Sequence, residues 1–228
     1  MAREIVLDTE TTGLETRLGH RVIEIACVEI DDFIPTGRFF HALIQPDRDI
    51  DPEAQRVHGI SLAALADKPR FGDPEVVDAL ASFIGSSPLV AHNANFDREF
   101  VNYELGLAGR PPLAQERWVD TMALAQQRYP GLSNSLDSLC KRLSISLAER
   151  DKHGALIDAK LLARVYLELR GGRECALDLS GAAAAVMSGE RPAYGPRPRP
   201  LPPRATAAEL AAHSAFVAEI KDALWLGA

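Results

Sequence analysis

The chain lacks the sequence features of membrane proteins, secreted proteins and proteins stabilised by disulfides or zinc. No apolar run approaches the roughly 18 residues that a membrane-spanning helix needs. The N-terminus has no basic region followed by an apolar stretch, so we expect no secretory signal and predict a cytoplasmic protein. The only cysteines, Cys27, Cys140 and Cys175, are too few and too widely spaced for a disulfide framework or a zinc cluster. We expect buried thiols.

An excess of basic residues is also missing. There are 25 lysines and arginines against 32 aspartates and glutamates, which leaves a net charge of −7. Proteins that hold DNA by themselves usually carry a basic face, because neutralising phosphates supplies much of the affinity. The chain is therefore expected either not to bind nucleic acid, or to bind it through metals and a few side chains while a partner holds the DNA.

Residues 1–172 are predicted to form one α/β domain. Short apolar runs predict strands at residues 4–8, 21–30, 38–44 and 88–92. Helical spacing predicts helices at residues 74–84, 96–107, 121–129, 136–143 and 155–170. Asn134 is expected to cap the helix that starts at Leu136.

The last quarter of the chain has a different composition. Residues 173–205 include six prolines between positions 191 and 204, which predicts a flexible, extended linker. Thr206 and Glu209 match a capping box, so residues 206–228 are predicted to be helical. A helix beyond a linker has no core to cover, and we expect its apolar face to bind a partner protein; folding back on the domain is the alternative. The apolar residues are Leu210, Phe216, Val217, Ile220, Leu224 and Trp225.

Two carboxylates, Asp8 and Glu10, lie two residues apart at the end of the first predicted strand. This spacing places both side chains on one face. Such carboxylates repel each other unless a cation lies between them, and oxygen ligands suit Mg²⁺ or Mn²⁺ better than zinc. Gly13 allows the backbone that follows to turn tightly. Alone, this pair is a weak predictor of catalysis.

Two further segments carry polar residues next to apolar ones. Asp97 lies in the first turn of a helix that follows a strand, where it could simply complement the helix dipole. His153 and Asp158 lie at the start of the last helix of the domain. Asp158 is surrounded by apolar sequence, which is unusual for a solvated helical acid, and His153 could equally be a surface or capping histidine.

Together, the three segments form a specific set of four carboxylates and one histidine. A mixed sheet could bring them together to bind two divalent ions about 3.5–4 Å apart, which would stabilise the attacking and leaving oxygens of a phosphoryl transfer. His153 would deprotonate the attacking water, since an unperturbed histidine pKa of about 6.5 suits that task at neutral pH.

The order of these motifs resembles that of the DEDD-type 3′→5′ exonucleases with histidine in the third motif, over residues 3 to about 170. The resemblance is carried by residues 5–14, 51–54, 57–60, 134–137 and 153–159. It implies a ribonuclease-H-like mixed β-sheet flanked by helices, two Mg²⁺ or Mn²⁺ ions, and release of 5′-mononucleotides. It implies metal ligands at Asp8, Glu10, Asp97 and Asp158, with His153 as the general base. The substrate nucleotide would contact Asp8, Glu10, Glu53, His58 and Asp158.

Within that family the resemblance is greatest to the proofreading epsilon subunits of bacterial DNA polymerase III. It implies that residues 206–228 bind the polymerase (alpha) subunit, which would supply the grip on DNA. The family also has a peptide that binds the sliding clamp; Leu177 and Leu179 could be its apolar anchors, although its usual glutamine is absent here.

Two other functions are compatible with parts of the sequence. An RNase-T-like or oligoribonuclease-like enzyme that trims RNA 3′ ends would share the domain, but it would not need the linker and terminal helix. A catalytically silent module that binds a polymerase would share the tail, but it would not need the clustered charges.

Overall fold

The computed structural model describes residues 3–148, 154–171 and 205–220. The chain divides into two compact units, residues 1–176 and 177–228. Within the described ranges, no helix is long and apolar enough to cross a membrane.

Five strands of the first unit form one mixed sheet in the order β3-β2-β1-β4-β5. The strands are β1 (Arg3–Thr11), β2 (Val22–Asp31), β3 (Ile34–Leu43), β4 (Leu89–Ala91) and β5 (Trp118–Asp120). The first three are antiparallel neighbours, whereas β4 runs parallel to β1 and β5 parallel to β4. Nearly every residue of β2 is buried, as predicted for an apolar strand covered on both faces, and β3 forms an exposed edge.

Six helices of the first unit cover the two faces of this sheet or lie beside it. They are α1 (Pro52–His58), α2 (Pro74–Ile84), α3 (Ala94–Leu107), α4 (Thr121–Arg128), α5 (Leu136–Arg142) and α6 (Ala155–Leu169). Short 3₁₀ helices occur at Thr16–Leu18, Leu62–Leu65 and Gln115–Arg117. The predicted mixed sheet flanked by helices is confirmed.

The alternation of side chains along β1 divides the core between the two faces. Ile5 and Leu7 pack with residues of α2 and α3 on one face, whereas Val6 packs with residues of α6 on the other. Successive strand residues point to opposite faces, so Asp8 and Glu10 share the α6 face with Val6. The core therefore directs both carboxylates toward α6.

Several predicted boundaries were wrong because they depend on neighbours in space. β1 continues to Thr11, since β2 pairs with it along this whole length, so Asp8 and Glu10 lie within the strand. β3 begins at Ile34 and α3 at Ala94, earlier than predicted. The sequence did not indicate α1 or β5; α1 has only seven residues and β5 only three, too few to show a clear period.

The predicted cap of α5 was also wrong. Ser135 is the capping residue, and its side chain accepts a hydrogen bond from the Ser138 backbone N–H. Asn134 instead accepts from the Arg142 guanidinium (3.3 Å). The serine is one residue nearer the helix, where its hydroxyl reaches the free N–H groups.

Two cysteines in the described part of the chain, Cys27 and Cys140, are buried, as predicted. Cys175 lies outside the described residues.

The second unit is described by one helix, α7 (Ala207–Glu219). Its predicted capping box is confirmed: the Glu209 N–H donates to the Thr206 hydroxyl, and the Thr206 N–H donates to the Glu209 carboxylate. Leu210 and Phe216 are 52% and 64% exposed, whereas Val217 is buried. Leu224 and Trp225 lie outside the described residues.

Candidate active site

Three carboxylates from two elements converge on the α6 face of the sheet. Asp8 and Glu10 come from β1, and Asp158 comes from the first turn of α6, where it is 3% exposed. One oxygen of each lies within 4.8 Å of the others. The structure therefore places Asp158 in an acidic cluster and not in solvent.

The charge of this cluster is unfavourable without a cation. The pKa of Asp8 lies well above its ordinary value, first because the carboxyl is removed from water, and then because Asp97, Glu10, Asp158 and Glu24 repel its negative charge. Closely spaced oxygen donors of one sign fit a hard divalent cation, which offsets both effects. The residues present thus fit the metal dependence of the family resemblance.

Asp97 lies beside this cluster, although its oxygens do not belong to the group of three. It is 4% exposed, and its Oδ1 accepts a hydrogen bond from the Thr9 hydroxyl (2.8 Å). Burial raises the pKa of Asp97 to about 7, whereas the Thr9 hydrogen bond acts in the opposite direction. Thr9 stands between Asp8 and Glu10 in the sequence, so this bond ties Asp97 to the strand that carries them.

The turn before α3 sets the position of Asp97. Asn93 adopts a left-handed conformation (φ 63°), and its backbone N–H donates to Asp120 Oδ1 (3.0 Å). Asp120 also accepts from the Met122 N–H at the start of α4. β5 thus anchors the start of α3, and the negative charge of Asp120 contributes to the raised pKa of Asp97.

Glu24 of β2 is a buried acid that sequence reasoning did not select. It pairs directly with Glu10 across the β1–β2 ladder, and it is 7% exposed. Its Oε2 accepts a hydrogen bond from the Ala155 backbone N–H (3.1 Å), and its Oε1 lies 2.7 Å from His41 Nε2. One signal was available in the sequence: Glu24 is one of two glutamates, with Glu29, inside the apolar run of β2.

The structure gives a second reason why position 13 must be glycine, besides the tight turn that the sequence suggested. A Cβ atom at this position would lie 2.3 Å from Cε1 of the buried His20 ring. The His20 Nδ1 lies 3.1 Å from the Thr12 hydroxyl, and its Nε2 lies 3.5 Å from Asp51, the residue that precedes α1. Glycine is needed so that the ring can connect the end of β1 to α1.

Two of the five residues expected to contact the substrate nucleotide, Glu53 and His58, lie on α1. His58 is 5% exposed, and its Nδ1 accepts a hydrogen bond from the Ile60 N–H (3.0 Å). Burial lowers its pKa, so the ring is neutral at pH 7, and its proton is on Nε2 because Nδ1 accepts a hydrogen bond. Glu53 is exposed and lies 3.4 Å from Arg56. His153 falls outside the described residues.

Comparisons with known proteins agree with this fold. Residues 5–166 match the model of a family described as exonuclease. The DNA polymerase III subunit epsilon of Rickettsia conorii is 46% identical over 187 residues, covering 81% of this chain and 80% of the relative. The Escherichia coli subunit is 44% identical over 180 residues, covering 76% and 73%.

Solved structures give the same family. Exonuclease X in complex with 5′ overhanging duplex DNA is 30% identical, has a TM-score of 0.56, and is matched over 73% of this chain and 90% of its own. The nuclease domain of 3′hExo, a DEDDh family member bound to rAMP, is 17% identical with a TM-score of 0.63, over 74% and 91%, and supports the fold alone. The chain therefore belongs to the exonuclease family, and within it to the group that contains the DNA polymerase III epsilon subunits.

Proposed function

We propose that this 3′→5′ DNA exonuclease removes mismatched nucleotides from primer ends as the proofreading subunit of a bacterial DNA polymerase III. The observation that carries the proposal is the convergence of Asp8, Glu10 and Asp158 within a family-matched fold. The catalytically silent module is disfavoured, because clustered buried acids destabilise a protein that does not use them.

The acidic cluster would hold two divalent cations, Mg²⁺ or Mn²⁺. Asp8, Glu10, Asp158 and Asp97 would hold them, since these acids lie close enough for the other three to raise the pKa of Asp8. When bound, the cations supply Lewis-acid stabilisation of the attacking and leaving oxygens. These carboxylates would hold the cations, with Asp97 kept in place by Thr9.

The other residues would bind the terminal nucleotide and move one proton. The neutral His58 ring presents its buried Nε2–H as a donor, and Glu53 lies on the exposed side of the same short helix. His153 takes a proton from the water that attacks the terminal phosphorus. The bond from phosphorus to the 3′ oxygen of the preceding nucleotide then breaks, releasing a 5′-mononucleotide and a shortened strand with a new 3′-hydroxyl.

The second unit would bind the polymerase (alpha) subunit. Helix α7 begins at a complete capping box and exposes Leu210 and Phe216. Large exposed apolar residues on a capped helix suit a groove in another protein. The net charge of −7 is consistent with DNA being bound mainly by a basic surface of the polymerase subunit. Leu177 and Leu179, proposed to contact the sliding clamp, lie outside the described residues.

The test is degradation of a 5′-labelled primer–template with a mismatched 3′ end, with Mg²⁺ and with EDTA, for the wild type and Asp8→Ala. We expect a metal-dependent ladder that shortens from the 3′ end, faster at the mismatch and absent in the variant. A parallel RNA primer separates DNA proofreading from RNA trimming. No shortening of either substrate with Mg²⁺ or Mn²⁺ would contradict the proposed activity.

A further inference from the structure

Glu24 lies at the active site without belonging to the group of three converging carboxylates. It occupies the position on β2 directly opposite Glu10 on β1. Directly paired residues of antiparallel strands project to the same face, so Glu24 points to the side of the sheet that α6 covers. Its burial there, at 7% exposed, excludes the role of a solvated surface acid.

The Glu24 carboxylate performs the task that a capping side chain normally performs for α6. The residue at the cap position, Gly154, has no side chain, so it leaves the first N–H groups of the helix without a local acceptor. Glu24 accepts a hydrogen bond from the Ala155 N–H across 131 positions of sequence (3.1 Å). A negative charge at this end of the helix is also favoured by the helix dipole.

This hydrogen bond holds the same first turn of α6 that carries Asp158. The Asp158 N–H donates to the Gly154 carbonyl (2.9 Å), so Asp158 lies one turn from the residue that Glu24 holds. A shift of the first turn of α6 would move Asp158 relative to Asp8 and Glu10, which belong to the sheet. Glu24 thus connects the two elements that must keep a fixed separation.

The carboxylate is placed here at an electrostatic cost. Its charge is one of those that raise the pKa of Asp8. Two contacts offset the cost: the Ala155 N–H and Nε2 of His41 on β3 (2.7 Å). A carboxylate oriented from both sides is a precise acceptor, because neither oxygen is free to rotate away from its partner.

We propose that Glu24 is a positioning residue, which holds the start of α6 against β2 and thereby places Asp158 at the metal site. The inference rests on the proposed metal-dependent reaction. Glu24 itself touches neither substrate nor reacting atoms in this assignment; it acts through Asp158.

The test compares Glu24→Ala with Glu24→Gln in the full-length protein. The alanine removes the acceptor, whereas the glutamine keeps an oxygen that can accept from the Ala155 N–H and removes only the charge. We expect Glu24→Ala to lower kcat and to weaken Mn²⁺ binding, each by about 10- to 100-fold. The KM for the primer should be unchanged. Mn²⁺ binding would be measured by electron paramagnetic resonance. Glu24→Gln should restore most of both kcat and Mn²⁺ binding.

The matched control is Glu29→Ala, which removes another buried glutamate of β2 that contacts Arg3 and Thr36 instead of α6. It should lower the melting temperature but leave kcat and Mn²⁺ binding unchanged. Wild-type kcat and Mn²⁺ binding in Glu24→Ala would overturn the inference, as would a Glu24→Gln variant as impaired as the alanine. If Asp8→Ala also kept its activity, the proposed function itself would fail.

Discussion

Asp8 and Glu10 are held in place by the apolar residues that alternate with them. Ile5 and Leu7 enter one core cluster, and this fixes the opposite face of β1 toward α6. A shift of one residue in the register would turn both acids into the core beneath α2 and α3. The same pattern that builds the core therefore orients the acidic residues, and no separate device is needed on this strand.

At Asp8 and Asp158 we expect alanine substitution to abolish exonuclease activity without unfolding the domain. Each variant removes one member of the group of three oxygens, while also relieving repulsion among the acids that remain. Activity on a labelled primer and circular dichroism would be measured together. Asp31→Ala, at the exposed end of β2 far along the ladder, is the control and should retain full activity. Retained activity in either site variant would refute the two-metal assignment.

At His153 we expect alanine substitution to slow the reaction by a factor on the order of 10² or more at neutral pH. The physical reason is the loss of the group that accepts a proton from water. In the variant the rate should keep rising with pH above neutrality instead of levelling off, because attack by hydroxide replaces the histidine-assisted path. His213→Ala, on exposed α7, serves as the control. An unchanged rate would remove His153 as the base.

At Gly13 we expect alanine substitution to destabilise the protein by about 1–3 kcal/mol, because the added methyl group overlaps the buried His20 ring. Displacing the ring also breaks its contacts with Thr12 and Asp51, so KM should rise as α1 shifts. Gly106→Ala is the control: its Cβ would meet nothing within 4 Å, and it should change stability by at most about 1 kcal/mol in the favourable direction. Equal melting temperatures for the two variants would contradict the overlap.

At the scale of elements, short segments are stabilised by contacts from elsewhere in the chain. β5 has three residues, yet Asp120 at its end receives hydrogen bonds from the N–H groups of Asn93 and Met122. Helix α1 has one buried residue, His58, and Asp51 before it donates its N–H to the Thr12 carbonyl. Such elements form because the sheet supplies their partners, which explains why local sequence patterns missed them.

For α7 we expect that deletion of residues 206–228 leaves primer trimming intact and abolishes binding to the polymerase subunit. A finer variant, Phe216→Ser, removes one large side chain that is 64% exposed and should weaken binding by about 1–3 kcal/mol. Ala211→Ser, on the same helix and also exposed, should bind as the wild type does. Binding would be measured by calorimetry with purified polymerase subunit. A truncated chain that still copurifies with the polymerase would refute the role of this segment.

At the scale of the whole molecule, the acidic site couples stability to pH and to metal. The pKa of Asp97 is about 7 in the folded protein against an ordinary value of 3.8. The folded state therefore holds a proton that the unfolded chain has released in this window. Its contribution to the free energy of unfolding is fully present below pH 3.8 and is lost as pH rises through about 7.

We therefore expect the metal-free protein to melt at a lower temperature at pH 8 than at pH 5.5, and Mg²⁺ to raise the melting temperature more at pH 8. Cations bind the ionised carboxylates of the folded state and compete with protons at lower pH. The measurement is a set of melting curves with EDTA and with Mg²⁺ across this range. In Asp97→Asn both the pH effect and the Mg²⁺ effect should shrink. A Mg²⁺ shift that does not depend on pH would contradict the linkage.

The sequence by itself determined the fold class, the order of the strands and helices of the domain except α1 and β5, and the acids Asp8, Glu10, Asp97 and Asp158 as candidate site residues. These follow from local pattern: apolar runs, residue spacing and the order of the three motifs. The capping box at Thr206 also follows from four consecutive residues, and the structure contains it. The carboxylates, in contrast, could be selected only as a set, since each alone has an ordinary explanation.

Only the tertiary structure decided which side chains meet. It brought Asp158 to Asp8 and Glu10, kept Asp97 beside them through Thr9, and revealed Glu24 holding the start of α6. The hydrogen bond from the Ala155 N–H to Glu24 joins residues 131 positions apart, and its existence depends on the packing of α6 across β2. Local spacing contains no information about such a pair, because the distance between its members is set by the sheet register and helix packing.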